Sequence, residues 1–378
     1  MKASQNIIFF SNTLWFLGKF KNRFIKQLSK NNKITCIYLR KGPILKEETI
    51  NELTNTNKVF FFSLKQFLQK QYLENSLSFF RFQSKKTTYQ KIIVFTIGPI
   101  LLSLFFSKSN KKKTVYVLEG MGRIFSSKRR KYLIIKYFII KAYRFLFKNC
   151  KNVCVLNSYD ALFLVENNIS SINKIVILPG NGLNINRIDE GFENKKYKPK
   201  YIDYIGRIIV EKGFYKFLFI KNNFLKYYPE FERKYIFRVI CPEEDIRKLS
   251  KNEKSFLKKQ EIEIKPYLTS ALDYYKESSA LIVPSSYGEG LSGVVLEACY
   301  LGIPVLASRS RGIQEYFPHD YKYFIKSYNP FSMSQQLAEM LKDDKYFDEI
   351  RELIKLNIKN NYSTEKAIEE FNANIFNM

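Results

Sequence analysis

The 378-residue chain carries 63 Lys and Arg against 35 Asp and Glu, a formal net charge of +28. Its length gives room for two domains with a core each. The charge is scattered over both halves, and no helix-turn-helix, zinc-finger or aromatic RNA-binding signature accompanies it, so a nucleic-acid partner is not expected. Two sources of the charge stay open: attraction to anionic lipid headgroups, and a genome whose codon bias enriches Lys, Asn, Ile, Phe and Tyr.

In chain order, Asn6 to Ser11 reads as a first strand followed by a loop over 12–20. Ile92 to Phe95, with Thr96 to Pro99 after it, and Val115 to Leu118, with Glu119 to Arg123 after it, read as two more strand-to-loop junctions. Ile7 to Phe10 is too short for a signal segment. The longest uncharged run, Ile92 to Ser107, falls short of the roughly twenty residues a membrane span needs. No spanning segment is predicted. Lys128 to Lys148 reads as one aromatic-rich helix that gathers Arg129, Arg130, Lys136, Lys141, Arg144 and Lys148 on one side. That face, with Lys136, Lys141, Arg144 and Lys148 as its candidates, suits a lipid interface; an ordinary helix with a solvated basic side is the competing reading. Val153 to Ser158 and Ile175 to Asn184 read as strands that close the first half, and the polar segment Asn184 to Lys200 as a hinge.

The cysteines, Cys36, Cys150, Cys154, Cys241 and Cys299, form an odd, scattered set. No nearby ligand completes a metal site around Cys150 and Cys154, so free thiols in a reducing compartment are expected.

Tyr201 to Gly213 reads as a strand ending at Gly206-Arg207, a short loop, and Glu211-Lys212-Gly213 opening a helix. Arg207 offers a planar fork to phosphate oxygens and Lys212 a mobile point charge. Two cations at a strand end suit a diphosphate whose charge grows as it departs.

Ala280 to Val283 is a short apolar run, read as a buried strand. Gly288, Gly290 and Gly293 then let the chain turn and approach a ligand. Ser292 is placed to cap a helix from about Gly293 to Leu301, which Gly302 and Pro304 end before Val305 to Ala307 return as a strand. The result is a βαβ unit whose loop lies at the carboxyl ends of the strands, where open parallel sheets bind ligands. The free amides at the helix start suit a phosphate. Glu289 lies in the loop, and Glu297 one turn up the helix, where a carboxylate can accept hydrogen bonds from the two hydroxyls of a ribose.

Glu289-Gly290-Leu291-Ser292-Gly293, Glu297-Ala298 and Gly302-Ile303-Pro304-Val305 resemble, in order, the paired-glutamate signature of the retaining glycosyltransferases of family four, which have the GT-B fold. Cys299-Tyr300 stands where a small residue or Met is usual, and Gly312-Ile313-Gln314-Glu315 is similar to the Gly-x-x-Glu that follows. The Gly206-Arg207 and Glu211-Lys212-Gly213 element resembles the one that holds the nucleotide diphosphate in that family. The amino-terminal junctions resemble, less specifically, those of the bacterial subgroup that builds lipid-linked surface saccharides; Asn184 stands where Asp is frequent.

The resemblance implies an α/β chain of two Rossmann-like domains facing across a cleft: 1–184 on the acceptor side, and 185–378 binding the nucleotide sugar, with the last helix packing back on the first domain. It implies a hexosyltransferase that moves a sugar from a nucleotide diphosphate, a UDP-sugar favoured, to a saccharide hydroxyl with retention. No Asp-x-Asp metal motif is present, so no metal or other cofactor is expected. Catalytic roles fall to Glu289, Arg207 and Lys212. Donor binding falls to Gly206, Tyr267, Gly290, Leu291, Ser292, Gly293 and Glu297, with the base near Lys265 to Leu268. The only histidine, His319, reads as a surface turn residue. The amino-terminal His of some relatives is missing, and Glu119, with Gly120 and Gly122, is the acceptor-side candidate. The implied partners are a nucleotide sugar, a lipid-linked or oligosaccharide acceptor and an anionic membrane surface, and the implied place is cytoplasmic, peripheral on the inner face of the membrane. A nucleotide-sugar epimerase of the same fold and a basic binding protein without catalysis are the alternatives.

Overall fold

The computed structural model describes residues 4–42, 50–51, 58–63, 89–127, 129–192, 199–267 and 270–376. Lys128, residues 193–198 of the expected hinge, and Leu268 of the expected base loop lie outside the described residues. The chain divides into two compact units: Met1–Ile124 with Lys128–Asn181 and Ile368–Met378, and Gly182–Ala367 with Phe125–Ser127.

The first unit is built on a seven-stranded sheet: β1 (Asn6–Thr13), β2 (Lys33–Arg40), β3 (Val59–Ser63), β4 (Lys91–Phe95), β5 (Thr114–Val117), β6 (Asn152–Val155) and β7 (Ile175–Ile177), in the order β3-β2-β1-β4-β5-β6-β7. Every pairing is parallel. A parallel sheet is covered on both faces, so its strands read as unbroken apolar runs rather than alternating ones. Ile7 to Phe10, Ile92 to Phe95 and Val115 to Val117 are buried throughout for this reason. The last helix, Thr364–Phe376, presses Phe371 against Phe9 and Phe24, with ring centroids 6.3 and 4.9 Å away. Lys91, at the start of the central strand β4, donates its Nζ to the Ile375 carbonyl.

The second unit has five parallel strands, β8 (Tyr201–Ile205), β9 (Ile236–Pro242), β10 (Glu263–Tyr267), β11 (Ser278–Val283) and β12 (Val305–Ala307), in the order β10-β9-β8-β11-β12. Its sheet encloses a buried ion pair that also reaches a half-exposed carboxylate. Arg238 forks onto Asp203 at 2.8 and 3.0 Å, reaches Glu277 at 3.0 Å and stacks over Tyr201, while the Ser278 hydroxyl also donates to Asp203. Bidentate geometry and added hydrogen bonds are the conditions under which such a pair is tolerated in a core.

Part of the expected hinge is helix. Residues Ile185–Phe192 form two turns, because Ile185 and Ile188, three positions apart, share a face and bury it in the second core.

Candidate active site

In each sheet the winding reverses once, between β1 and β4 in the first and between β8 and β11 in the second. Loops leaving neighbouring strands on either side of such a point diverge and open a crevice at the carboxyl edge. The two motifs of the carboxyl-terminal half fall on the crevice of the second sheet.

Gly206 and Arg207 follow β8, and a single turn over Val210–Lys212 leads into the helix Phe214–Tyr227. Between them stands Gly213, with φ of +82° and its α-carbon against the Pro284 carbonyl, where any Cβ would clash. Glycine there lets the β8 loop meet the β11 loop directly. Ser286 N donates to the Glu211 carbonyl at 2.8 Å, and Lys212 Nζ lies 2.6 Å from Glu289 Oε1. Ser285 Oγ approaches the same carboxylate oxygen at 3.4 Å, and the Lys212 ammonium sits over the Tyr287 ring. Gly312 seals the other side, since a Cβ there would run into the Gly290 carbonyl.

Arg207 is held differently. Its side chain is 56% exposed, and Asp245 Oδ2 stands 3.9 Å from its Nε while accepting the Ile208 amide at 2.9 Å. The guanidinium is thus aimed by the loop and not buried in it. Leu291 packs against the core, and the helix Gly293–Tyr300 begins two residues later with Ser292 at its N-cap. The Ser292 side chain makes no capping bond, so the helix-start amides are not satisfied by the residue expected to satisfy them. Glu297 lies one turn in, beside the buried Tyr275, whose hydroxyl donates to the Val294 carbonyl at 3.0 Å. Burial pushes the Tyr275 phenol well up, and the Glu297 charge adds to the shift. Tyr267, at the end of β10, is pushed up to about 12, mainly by burial, with Cys241, Asp245 and Glu297 contributing. Both phenols stay protonated near neutral pH and hold that wall of the crevice as neutral groups. Lys212 and Glu289 thus meet at the crevice, on the loops that also carry Arg207 and the start of the Gly293 helix. Tyr267 and Glu297 form an adjoining wall.

In the first unit Glu119 follows β5 and meets Lys21 Nζ at 2.6 Å. Gly120 and Gly122 follow it with φ of +124° and +64°. Sequence reasoning missed Lys21, as it missed Asp245 and Ser285, because each acts through a partner that only the fold brings near.

The basic helix spans Arg130–Asn149. Only Ile139, Tyr143, Leu146 and Phe147 are buried. Its outward side mixes Lys141 and Lys148 with large exposed apolar residues, among them Ile134 at 61% and Phe138 at 64%. Arg144 donates to the Asn167 carbonyl, and Lys136 lies over Phe163, so these two cations also serve the packing of their own unit. No helix among the described residues is long and apolar enough to cross a membrane. His319 lies in an exposed turn. All five cysteines are buried and free.

Residues 186–360 match the family described as Glycosyl transferases group 1. An uncharacterized glycosyltransferase of Methanocaldococcus jannaschii is 25% identical over 292 residues, which are 72% of this chain and 70% of that protein. A glycosyltransferase from Rickettsia africae is similar in structure, with a TM-score of 0.71 at 14% identity over 99% of this chain and 98% of its own. Anabaena HepE in complex with UDP gives a TM-score of 0.70 at 11% identity over 99% of this chain and 100% of its own. The fold is that of the GT-B class, with two Rossmann-like α/β domains. The group 1 match and the glycosyltransferase relatives support a glycosyltransferase.

Proposed function

We propose that this chain is a retaining, metal-independent hexosyltransferase of family four. It transfers a sugar from a nucleotide diphosphate, a UDP-sugar favoured, to a hydroxyl of a lipid-linked saccharide in the making of surface polysaccharide. The observation that supports the reading is the contact of Lys212 with Glu289 at the crevice between β8 and β11, on the loops that also carry Arg207 and the Gly293 helix start. The UDP held by Anabaena HepE supports uridine as the base.

In the reaction, the bond between the anomeric carbon and the diphosphate oxygen breaks. The acceptor oxygen bonds to the same face of that carbon, and the departing phosphate takes the acceptor's proton. Negative charge grows on the leaving diphosphate, where Arg207, Lys212 and the amides of residues 290–293 stabilise it without a metal. Glu289 accepts hydrogen bonds from donor-sugar hydroxyls while sharing Lys212. Glu297 accepts from the ribose, and Gly206 and the Tyr267 backbone line the space for the nucleotide. Glu119, with Gly120 and Gly122, serves the acceptor.

The outward face of the helix Arg130–Asn149 suits the inner face of an anionic membrane. Ile134, Tyr137 and Phe138 stand out of the fold beside Lys141 and Lys148, a combination that rests in a headgroup layer. The test is a panel of UDP-, GDP- and ADP-sugars incubated with the protein in a chelator, following nucleotide release with and without a lipid-linked saccharide. Acceptor-stimulated release supports the reading. An altered nucleotide sugar without release indicates an epimerase, and binding without turnover a binding protein.

A further inference from the structure

The crevice of the first sheet, between β1 and β4, carries a group of side chains that the donor site does not explain. Thr96 is the first residue after β4, with φ of +66° and ψ of +156°, backbone that is open almost only to glycine. Among the described residues its Oγ1 is buried with no hydrogen-bond partner, a state that native proteins mostly avoid. A β-branched residue strained in its backbone and unsatisfied in its hydroxyl marks a place where something other than stability is served.

Next to it in the sheet, Phe95 pairs with Val117 of β5, and Glu119 follows two residues on. Glu119 is met by Lys21, whose side chain is only 2% exposed against 16% for Glu119. The ammonium lies 2.6 Å from Glu119 Oε1 and 2.7 Å from Asn181 Oδ1, and faces the rings of Phe16, Phe24 and Phe95 at 5.6, 5.3 and 5.1 Å. An ammonium enclosed by three rings, a carboxylate and an amide has no room to meet a ligand itself. What it does is fix one oxygen of Glu119, so that the partly exposed carboxylate presents its other oxygen, Oε2, in one orientation.

We propose that Thr96 and Glu119 form a hydroxyl-binding subsite for a sugar acceptor, with Lys21 as the positioning residue. A polyhydroxylated ligand fits this chemistry: Glu119 Oε2 accepts a hydrogen bond from one ligand hydroxyl, and Thr96 Oγ1 exchanges one with a neighbouring hydroxyl. The subsite rests on the reading of the chain as a glycosyltransferase, but it lies wholly in the first unit and can be tested without turnover.

The experiment is saturation-transfer NMR on the full chain with methyl glucosides, galactosides and N-acetylglucosaminides, alongside calorimetric titration with UDP. The wild type binds at least one of these glycosides. Glu119→Gln and Lys21→Met weaken that binding tenfold or more, Lys21→Arg restores most of it, and UDP affinity stays within twofold. Thr96→Gly relieves the backbone and removes the hydroxyl, so it raises the melting temperature while lowering glycoside affinity, a pairing that a merely structural threonine would not give. Undiminished glycoside binding in folded Glu119→Gln and Thr96→Gly overturns the proposal, as does the absence of binding to any glycoside by the wild type. Loss of UDP binding by the wild type would instead count against the donor site and leave the glycoside measurement standing.

Discussion

Lys212 Nζ and Glu289 Oε1 lie 2.6 Å apart and join two loops whose residues are separated by 77 positions in the chain. Each was expected to meet a different part of the donor, and they meet one another. The contact ties the loop after β8 to the loop after β11, and a glutamine at position 289 would keep an oxygen for it.

Arg207→Ala and Lys212→Ala each lower turnover by about a hundredfold or more, the usual consequence of removing one preorganised charge-stabilising group. Their stabilities differ. Arg207 is mostly exposed, whereas removing Lys212 leaves the nearly buried Glu289 without its cation. Lys212→Ala therefore melts lower by the equivalent of about 1–3 kcal/mol, and Arg207→Ala melts as the wild type does. Calorimetry beside a nucleotide-release assay checks both. Near-normal turnover in either variant removes the diphosphate assignment.

The two glutamates separate by ligand. Glu297→Gln weakens binding of the free nucleotide, because its partner is the ribose. Glu289→Gln lowers the rate with the intact donor and leaves free-nucleotide affinity nearly unchanged. Titration of both variants with UDP decides the matter, and equal losses would show that the division of roles is wrong.

Asp203→Ala tests the core of the second unit. It strands Arg238, which is 1% exposed, without its bidentate partner, and breaking a buried pair in this way costs about 3–5 kcal/mol. Urea unfolding should show the loss. A change below about 1 kcal/mol would mean that Glu277 alone satisfies the guanidinium.

Most of the second unit was legible because its chemistry is local. Glycines, two cations and two carboxylates sit in short runs, and β11, the helix Gly293–Tyr300 and β12 stand where the apolar runs and punctuation put them. Lys21 was not legible. It lies in a five-residue π-helical stretch, Leu17–Lys21, amid aromatics that look like ordinary core, and its partner Glu119 comes from the loop after β5. Asp245 escaped for the same reason, since it reaches the Arg207 loop from a helix after β9. The helix Arg130–Asn149 carries large apolar residues well beyond the width of one buried face, and the pattern alone did not tell that Ile134 and Phe138 would face outward while Ile139 and Tyr143 were buried.

That outward face yields a separate prediction. The protein binds vesicles containing anionic lipid and is released as salt rises, since surface attraction is about 1 kcal/mol per basic residue and is screened within a Debye length. Lys141→Gln with Lys148→Gln reduces binding chiefly at low salt. Ile134→Ser with Phe138→Ser reduces it at every salt concentration. Cosedimentation of both double variants measures this; binding indifferent to salt would make codon bias the main source of the +28 charge.

The central claim, metal-free transfer with retention at the crevice between β8 and β11, is tested most directly by following the slow hydrolysis of an α-linked UDP-sugar by proton NMR in excess chelator, with water as the acceptor. The account predicts that UDP and the α-anomer of the free sugar appear first, before mutarotation, and that Lys212→Ala suppresses both. A β-anomer appearing first, a requirement for added metal, or equal rates in the wild type and Lys212→Ala would contradict it.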